Sequence, residues 1–223
     1  MNKKKEDLII FLSKILEAYK KYQNEIIKQK NNNNNKIKNE YIEKISDFEK
    51  CLNDNKEITN KIQDKILKLI IMILTSESAN NSIETSLEAI EMIVTNNYFS
   101  EEVININMTY LTKNIMCIYN NYKNNIKIIM QVINLIKVLI GNKNFYLKNE
   151  SLYDTIIFLI INILQIDSYN NNISIYQTKK LAKLVLNKCI DELISRINKL
   201  NYDDDLDNIV KNKYFVRYNL NNN

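Results

Sequence analysis

The sequence has no histidine and a single glycine, Gly141, and these two absences remove most catalytic chemistry. Without histidine there is no Ser-His or Cys-His nucleophile pair, no imidazole base and no His-containing zinc site. With one glycine there is neither a P-loop nor a dinucleotide fingerprint, because both need several glycines to bring backbone N–H groups up to phosphate. Cys51, Cys117 and Cys189 are far apart, with no Cys-x-x-Cys, and each sits beside apolar positions. They read as reduced thiols packed as small hydrophobes. Glu101-Glu102 reads as a helix start, where acid complements the dipole. Asp191-Glu192 and the run Asp203 to Asp207 read as solvated charge, since the run lacks the spaced glycine and terminal glutamate of a calcium loop. Tyr19 and Tyr22 beside Lys20-Lys21 do not make an interleaved stacking platform for bases. The expectation is a chain that is not an enzyme, takes no cofactor and no metal, and works by binding.

What must position the remaining side chains is helical. The chain of 223 residues is 45% hydrophobic, with no proline and no tryptophan. A sheet fold would need glycine, proline or Asn-Gly at its turns, and glycine cannot supply them here. Long helices with short Asn-rich connections fit instead. Net charge is +5, and the first fifty residues hold 12 lysines against 8 acids. The basic excess therefore reads as N-terminal rather than as one binding face, which argues against nucleic acid as a partner. No signal peptide opens the chain, and the longest apolar run, Ile156 to Leu164, is interrupted by Asn162 and falls short of the ~20 residues a bilayer needs. A cytoplasmic protein is expected. The first helix, with Leu8, Phe11, Leu12, Ile15 and Leu16 on one side, reads as packing onto the second helix in preference to lying on lipid.

Asn31 to Asn35 lies in a low-complexity insert, residues 30–36, between a helix over about 3–29 and another over 37–53. Apolar stripes of helical period follow: Ile62, Ile66, Leu69, Ile70 and Ile73, then Ile83, Leu87, Ile90 and Val94, then Ile126, Ile129, Met130, Ile133, Ile136 and Ile140. Asn81 with Glu84 predicts a capping start, Gly141 an αL stop, and Ser151 with Asp154 the next start. The 156–164 segment, apolar nearly all round, predicts a helix buried in the middle of a stack. A final helix is predicted over about 177–200. The expected fold is all-α, an armadillo/HEAT-like α-solenoid of about eight helices, with helix pairs near a 40-residue period. Residues 1–200 form the expected domain, and 201–223 a linker or the start of a further segment.

The helix order resembles the N-terminal dimerisation and cyclophilin-binding domain of the large Arf guanine-nucleotide exchange factors. The residues that carry the likeness are Leu8 to Leu16, Tyr41 to Leu52, the turn Ser76-Glu77-Ser78, the helix Ser86 to Val94 and its aromatic exit Tyr98-Phe99. Ile128 to Ile140 and the entry Asn149-Glu150-Ser151-Leu152 follow. The last helix adds Ala182-Lys183-Leu184-Val185-Leu186 and then Leu193-Ile194-Ser195-Arg196-Ile197. Ile197 stands where the family has methionine, and the Asn tract is an insertion.

The resemblance implies a regulatory module without the family's exchange domain. Its implied partners are itself, as a homodimer, the helical domain downstream in the same protein and small Arf-like GTPases. Through these it would be recruited indirectly to Golgi and endosomal membranes in vesicle trafficking. A catalytically silent relative of these factors shares the domain. The interaction residues that follow from this are Ala182, Lys183, Arg196, Tyr98 and Phe99. An armadillo-like adaptor unrelated to Arf is the alternative that the residues leave open.

Overall fold

The structure, a computed structural model, describes residues 3–28, 35–54, 57–75, 80–141, 150–165 and 173–200. Among these residues it contains eight helices and no strand: α1 (Lys3–Lys28), α2 (Asn35–Asn53), α3 (Asn60–Thr75), α4 (Asn80–Thr95), α5 (Glu101–Tyr122), α6 (Ile126–Gly141), α7 (Glu150–Leu164) and α8 (Ile173–Leu200). The Asn-rich insert up to Asn34, the turn Ser76-Glu77-Ser78, Asn149 and the segment 201–223 lie outside the described residues. No described helix is long and apolar enough to cross a membrane. The chain divides into two compact units, Met1–Val185 and Leu186–Asn223, and the boundary falls inside α8.

Within the first unit, α1 packs on α2 and α4, α2 on α3, α3 on α4 and α5, α4 on α6, and α5 on α6 and α7. The helices form because apolar residues recur at three- and four-residue steps. Eight positions of α4 are buried: Ser82, Ile83, Ser86, Leu87, Ala89, Ile90, Ile93 and Val94. Each has a buried counterpart 46 residues on in α6, namely Ile128, Ile129, Val132, Ile133, Leu135, Ile136, Leu139 and Ile140. The burial pattern repeats while the side chains change. Where α6 carries Ile128 and Val132, α4 carries Ser82 and Ser86.

The reason for the small residues lies in the first two helices. Tyr19 of α1 and Tyr41 of α2 are buried. The Tyr19 hydroxyl lies 2.6 Å from Ser86 Oγ, and the Tyr41 hydroxyl 3.0 Å from Ser82 Oγ. Ser86 Oγ donates its one proton to the Ser82 carbonyl at 2.7 Å, so Tyr19 must be the donor in its own bond. Burial pushes the Tyr41 phenol up to about 12, with the Ser82 bond offsetting part of the rise. Burial raises Tyr19 well beyond the ordinary phenol range, with the Ser86 bond again opposing it. Phe48 of α2 lies against the Tyr19 ring, with centroids 6.3 Å apart.

Polar bonds cross between neighbouring helices at matching separations. Lys127 of α6 pairs with Glu84 of α4, and Gln131 donates to Glu88 at 2.8 Å, both 43 residues apart. Asn107 of α5 donates to Asp64 of α3 at 2.7 Å, also across 43 residues. Slight burial works to raise the Asp64 carboxyl. The bonds from Lys68 and Asn107 outweigh it and hold the group below the usual carboxylate range.

Four local expectations are corrected. Asn81 is not a cap but lies inside α4, and Glu84 reaches Lys127 on α6. Gly141 is the last helical residue of α6 with no positive φ. The left-handed turn is made by Asn97, φ 49°, after α4. The helix over 156–164 is not buried all round. Ile156, Leu159, Ile160 and Ile163 are buried, but Phe158 is 56% exposed and Ile161 43%. A helix packed along one side buries one stripe however apolar its other faces are. Finally, α8 begins at Ile173, four residues before its expected start at 177.

The tyrosine–serine contacts give an asymmetric prediction. Ser86→Ala leaves a buried tyrosine hydroxyl without a partner and should cost about 1–3 kcal/mol. Tyr19→Phe leaves Ser86 bonded to Ser82 and should cost about 1 kcal/mol. The double variant should be more stable than the sum of the two losses predicts. Urea unfolding of the four proteins measures this, and strict additivity would contradict it.

Candidate interaction site

Among the described residues, no three His, Cys, Asp or Glu side chains converge to hold a metal. Cys51 and Cys189 are buried and Cys117 is exposed. Burial pushes the Cys189 thiol up to about 12, slightly opposed by the nearby Lys188. That is the reverse of what a nucleophilic cysteine needs. Glu102 stands in the first turn of α5, as expected, and accepts from Asn60 of α3 at 3.2 Å.

Tyr98 and Phe99 share the turn between α4 and α5. The Tyr98 N–H donates to the Ile93 carbonyl at 3.0 Å and the Asn97 N–H to Val94 at 3.3 Å. This is the paired closure of a Schellman end, with asparagine taking the left-handed position usually given to glycine. Ser100 then caps α5, its hydroxyl accepting from the Val103 N–H. The Ser100 N–H itself donates to Gln63 Oε1 at 2.8 Å, and the other end of that amide donates to the Ile58 carbonyl. Gln63 thus ties two inter-helix connections together. Phe99 is buried and Tyr98 is half-buried, its ring 5.3 Å from that of Phe11 on α1. Both aromatics are engaged within the fold.

Ala182 and Lys183 sit next to each other on α8, Ala182 fully buried and Lys183 exposed. Arg196 falls on the same helix, in the second compact unit, and its side chain is outside the described residues. Among the described residues, no hydrogen bond, ion pair or ring contact joins Tyr98 or Phe99 to Ala182 or Lys183.

Two features of the surface lie outside the expected interaction residues. One is the outer side of α7, where Phe158 and Ile161 stand exposed. Asn162 between the two stripes turns its amide back to the Phe158 carbonyl at 2.7 Å. The other is a recess of about 170 Å³ walled by Ile126 and Ile129 of α6, Ile163 of α7 and Ile175 of α8. Lys123, Asn124, Thr178 and Lys179 complete its lining. Thr178 donates its hydroxyl to the Ser174 carbonyl at 2.7 Å.

Charge around this recess also departs from the expected N-terminal excess. From Val103 to Asn149 there are six lysines and no acid, and from Ile173 to Ile190 four lysines and no acid. Counting charge over element-length windows, instead of the first fifty residues against the rest, would have found it.

Comparison with known protein families, curated proteins and solved structures found no match to this chain.

Thiol labelling checks the burial that sets this chemistry aside. The folded chain should react quickly at Cys117 alone, with Cys51 and Cys189 labelled only on unfolding. Fast labelling of Cys189 in the native state would show an open, reactive thiol.

Proposed function

We propose that the chain is a non-catalytic protein-binding module whose first unit is an armadillo/HEAT-like α-solenoid. The support is in the pairing of helices. Contacts of α3 with α5, α5 with α7 and α4 with α6 are those of two rows of stacked helices. The 43-residue separations between facing polar groups fall in the 40–47 range of such units. The first hairpin is turned over relative to that scheme, since α1 meets α4 and α2 meets α3.

The role we propose is that of a regulatory, dimerising domain like the one at the N-terminus of the large Arf exchange factors, or of their catalytically silent relative. On this reading the chain pairs with itself, docks the helical domain downstream and binds small Arf-like GTPases. It reaches Golgi and endosomal membranes through those partners. The motifs from Leu8 to Ile197 support the kinship.

The observation that carries self-association is the exposed side of α7. Phe158 and Ile161 lie in a stretch, Ile156 to Gln165, without a charged residue. An uncharged apolar face has no like-charge repulsion against its own copy, whereas a strongly charged one does. Burying a side chain of this size contributes about 1.5–3 kcal/mol. The purified chain should therefore scatter light with a dimer's mass at micromolar concentration. Phe158→Asp, on an exposed position, should keep the helix content and weaken pairing by at least about tenfold. A monomeric mass for the unaltered chain, or a dimer indifferent to Phe158→Asp, would contradict the assignment of this face.

A further inference from the structure

The burial register that α4 and α6 share runs on into α8, a further 46 residues along. Thr178 stands at the register of Ser86 and Val132, Ala182 at that of Ile90 and Ile136, and Val185 at that of Ile93 and Leu139, and all three are buried. Ser174 falls at the register of Ser82 and Ile128. The hydroxyl pair of α4 thus returns in α8, one turn apart, after an α6 with isoleucine and valine at both positions. The bonding returns with it. Ser86 Oγ donates to the Ser82 carbonyl at 2.7 Å, and Thr178 Oγ1 to the Ser174 carbonyl at 2.7 Å. Each hydroxyl has then spent its one proton and keeps its lone pairs to accept with.

On α4 that acceptor is used, since Tyr19 of α1 donates to Ser86. On α8, no donor among the described residues reaches Thr178 Oγ1, although the residue is only 3% exposed. The space beside the two hydroxyls differs in the same way. At Ser86 it holds the Tyr19 ring. At Thr178 it is the recess of about 170 Å³, with Ile126 and Ile129 of α6, Ile163 of α7 and Ile175 of α8 as its apolar walls. A cavity of about 150 Å³ takes one benzene-sized group. Isoleucine walls with one hydroxyl acceptor suit a ring that carries a single donor, which is the phenol of a tyrosine. Phenylalanine would leave the acceptor unbonded. An ionised side chain would bring a charge into an apolar hole.

We infer that this recess docks a helix of a partner protein, which inserts one tyrosine between Ile126, Ile129, Ile163 and Ile175 and donates its hydroxyl to Thr178, as α1 does within the fold at Ser86. The helical form of the partner is taken from that internal example, where Leu12, Ile15 and Tyr19 are buried at three- and four-residue steps along α1. The inference rests on reading the chain as a protein-binding module. It uses a different face from the one that pairs, since Phe158 and Ile161 lie across the axis of α7 from Ile163.

The test uses the full chain and a labelled helical peptide of alanine and glutamine, with leucine, isoleucine and tyrosine spaced as Leu12, Ile15 and Tyr19 are on α1. Fluorescence anisotropy should show saturable binding, about fivefold tighter than for the same peptide with phenylalanine in place of tyrosine, the value of one neutral hydrogen bond. Thr178→Val, which keeps the shape and removes the acceptor, should erase that difference, and Thr178→Ser should keep it. Ile175→Trp, at a half-buried position of the wall, should weaken both peptides about tenfold with the melting temperature unchanged. Equal binding of the two peptides to the unaltered chain would overturn the inference, as would indifference to Ile175→Trp or no binding at all. Loss of the dimer's light-scattering mass on Thr178→Val would make the occupant a second copy and overturn the assignment to a partner helix. A chain that pairs through α7 yet shows no preference for tyrosine loses this inference alone, because mass and peptide binding are read on the same samples.

Discussion

Two phenol hydroxyls buried where water does not reach have to be bonded, and the first half of this fold is arranged to bond them. An unpaired buried hydroxyl costs about 1–3 kcal/mol, a large part of the stability of a domain this size. Tyr19 and Tyr41 come from different helices, yet both end on α4, at Ser86 and Ser82, one turn apart. The chain of donation is fixed by proton count: Tyr19 to Ser86, then Ser86 to the Ser82 carbonyl. The first hairpin is therefore positioned on α4 by directional bonds as well as by burial of Leu12, Ile15, Ile45 and Phe48.

The comparison of α4 with α6 shows what this arrangement requires. The two helices bury the same eight positions, but α6 fills them with branched aliphatics and α4 has serine at two. Serine leaves space for a tyrosine ring to approach and offers the oxygen that its hydroxyl needs. Putting the counterparts Ile128 and Val132 of α6 into α4 would remove both partners and overfill the space. A single burial pattern thus serves two kinds of neighbour, set by residue size. The same economy governs the turns. In a chain with one glycine, Asn97 takes the left-handed position and Ser100 the cap, so α4 passes into α5 through five residues.

Much of this was legible in the sequence because it depends on period alone. In the first stripe Ile66, Leu69, Ile70 and Ile73 are buried and Ile62 is half-buried, and Ile83, Leu87, Ile90 and Val94 are buried as their spacing requires; the all-helical class follows from the lack of turn glycines. What was not legible depends on neighbours. Periodicity marks Ile156 to Leu164 as apolar but does not say that α5 packs along one side of it while Phe158 and Ile161 stay exposed. Asn81 and Gly141 have residue types suited to helix ends, yet α4 begins one residue before Asn81, and Gly141 closes α6 without a positive φ. The helical period says nothing of why serine stands at positions 82 and 86. Only the approach of Tyr19 and Tyr41 gives them a purpose. The recess escaped notice because Ile126, Ile163 and Ile175 are on three different helices.

The central claim is that two phenols are held neutral by their place on α4, and alkaline titration of tyrosine absorbance reads it directly. A phenol whose folded value lies above its ordinary value of about 10 lends the fold stability that is complete below that pH. That stability is lost as pH rises through the folded value. Burial pushes Tyr41 up to about 12 and raises Tyr19 well beyond the phenol range. Of the 14 tyrosines, most should ionise reversibly while the helices persist. At least two should ionise only near or above pH 12, together with loss of helical ellipticity, and Tyr19→Phe with Tyr41→Phe should remove that late step. Ionisation of every tyrosine around pH 10 in a chain that keeps its helices would contradict the account.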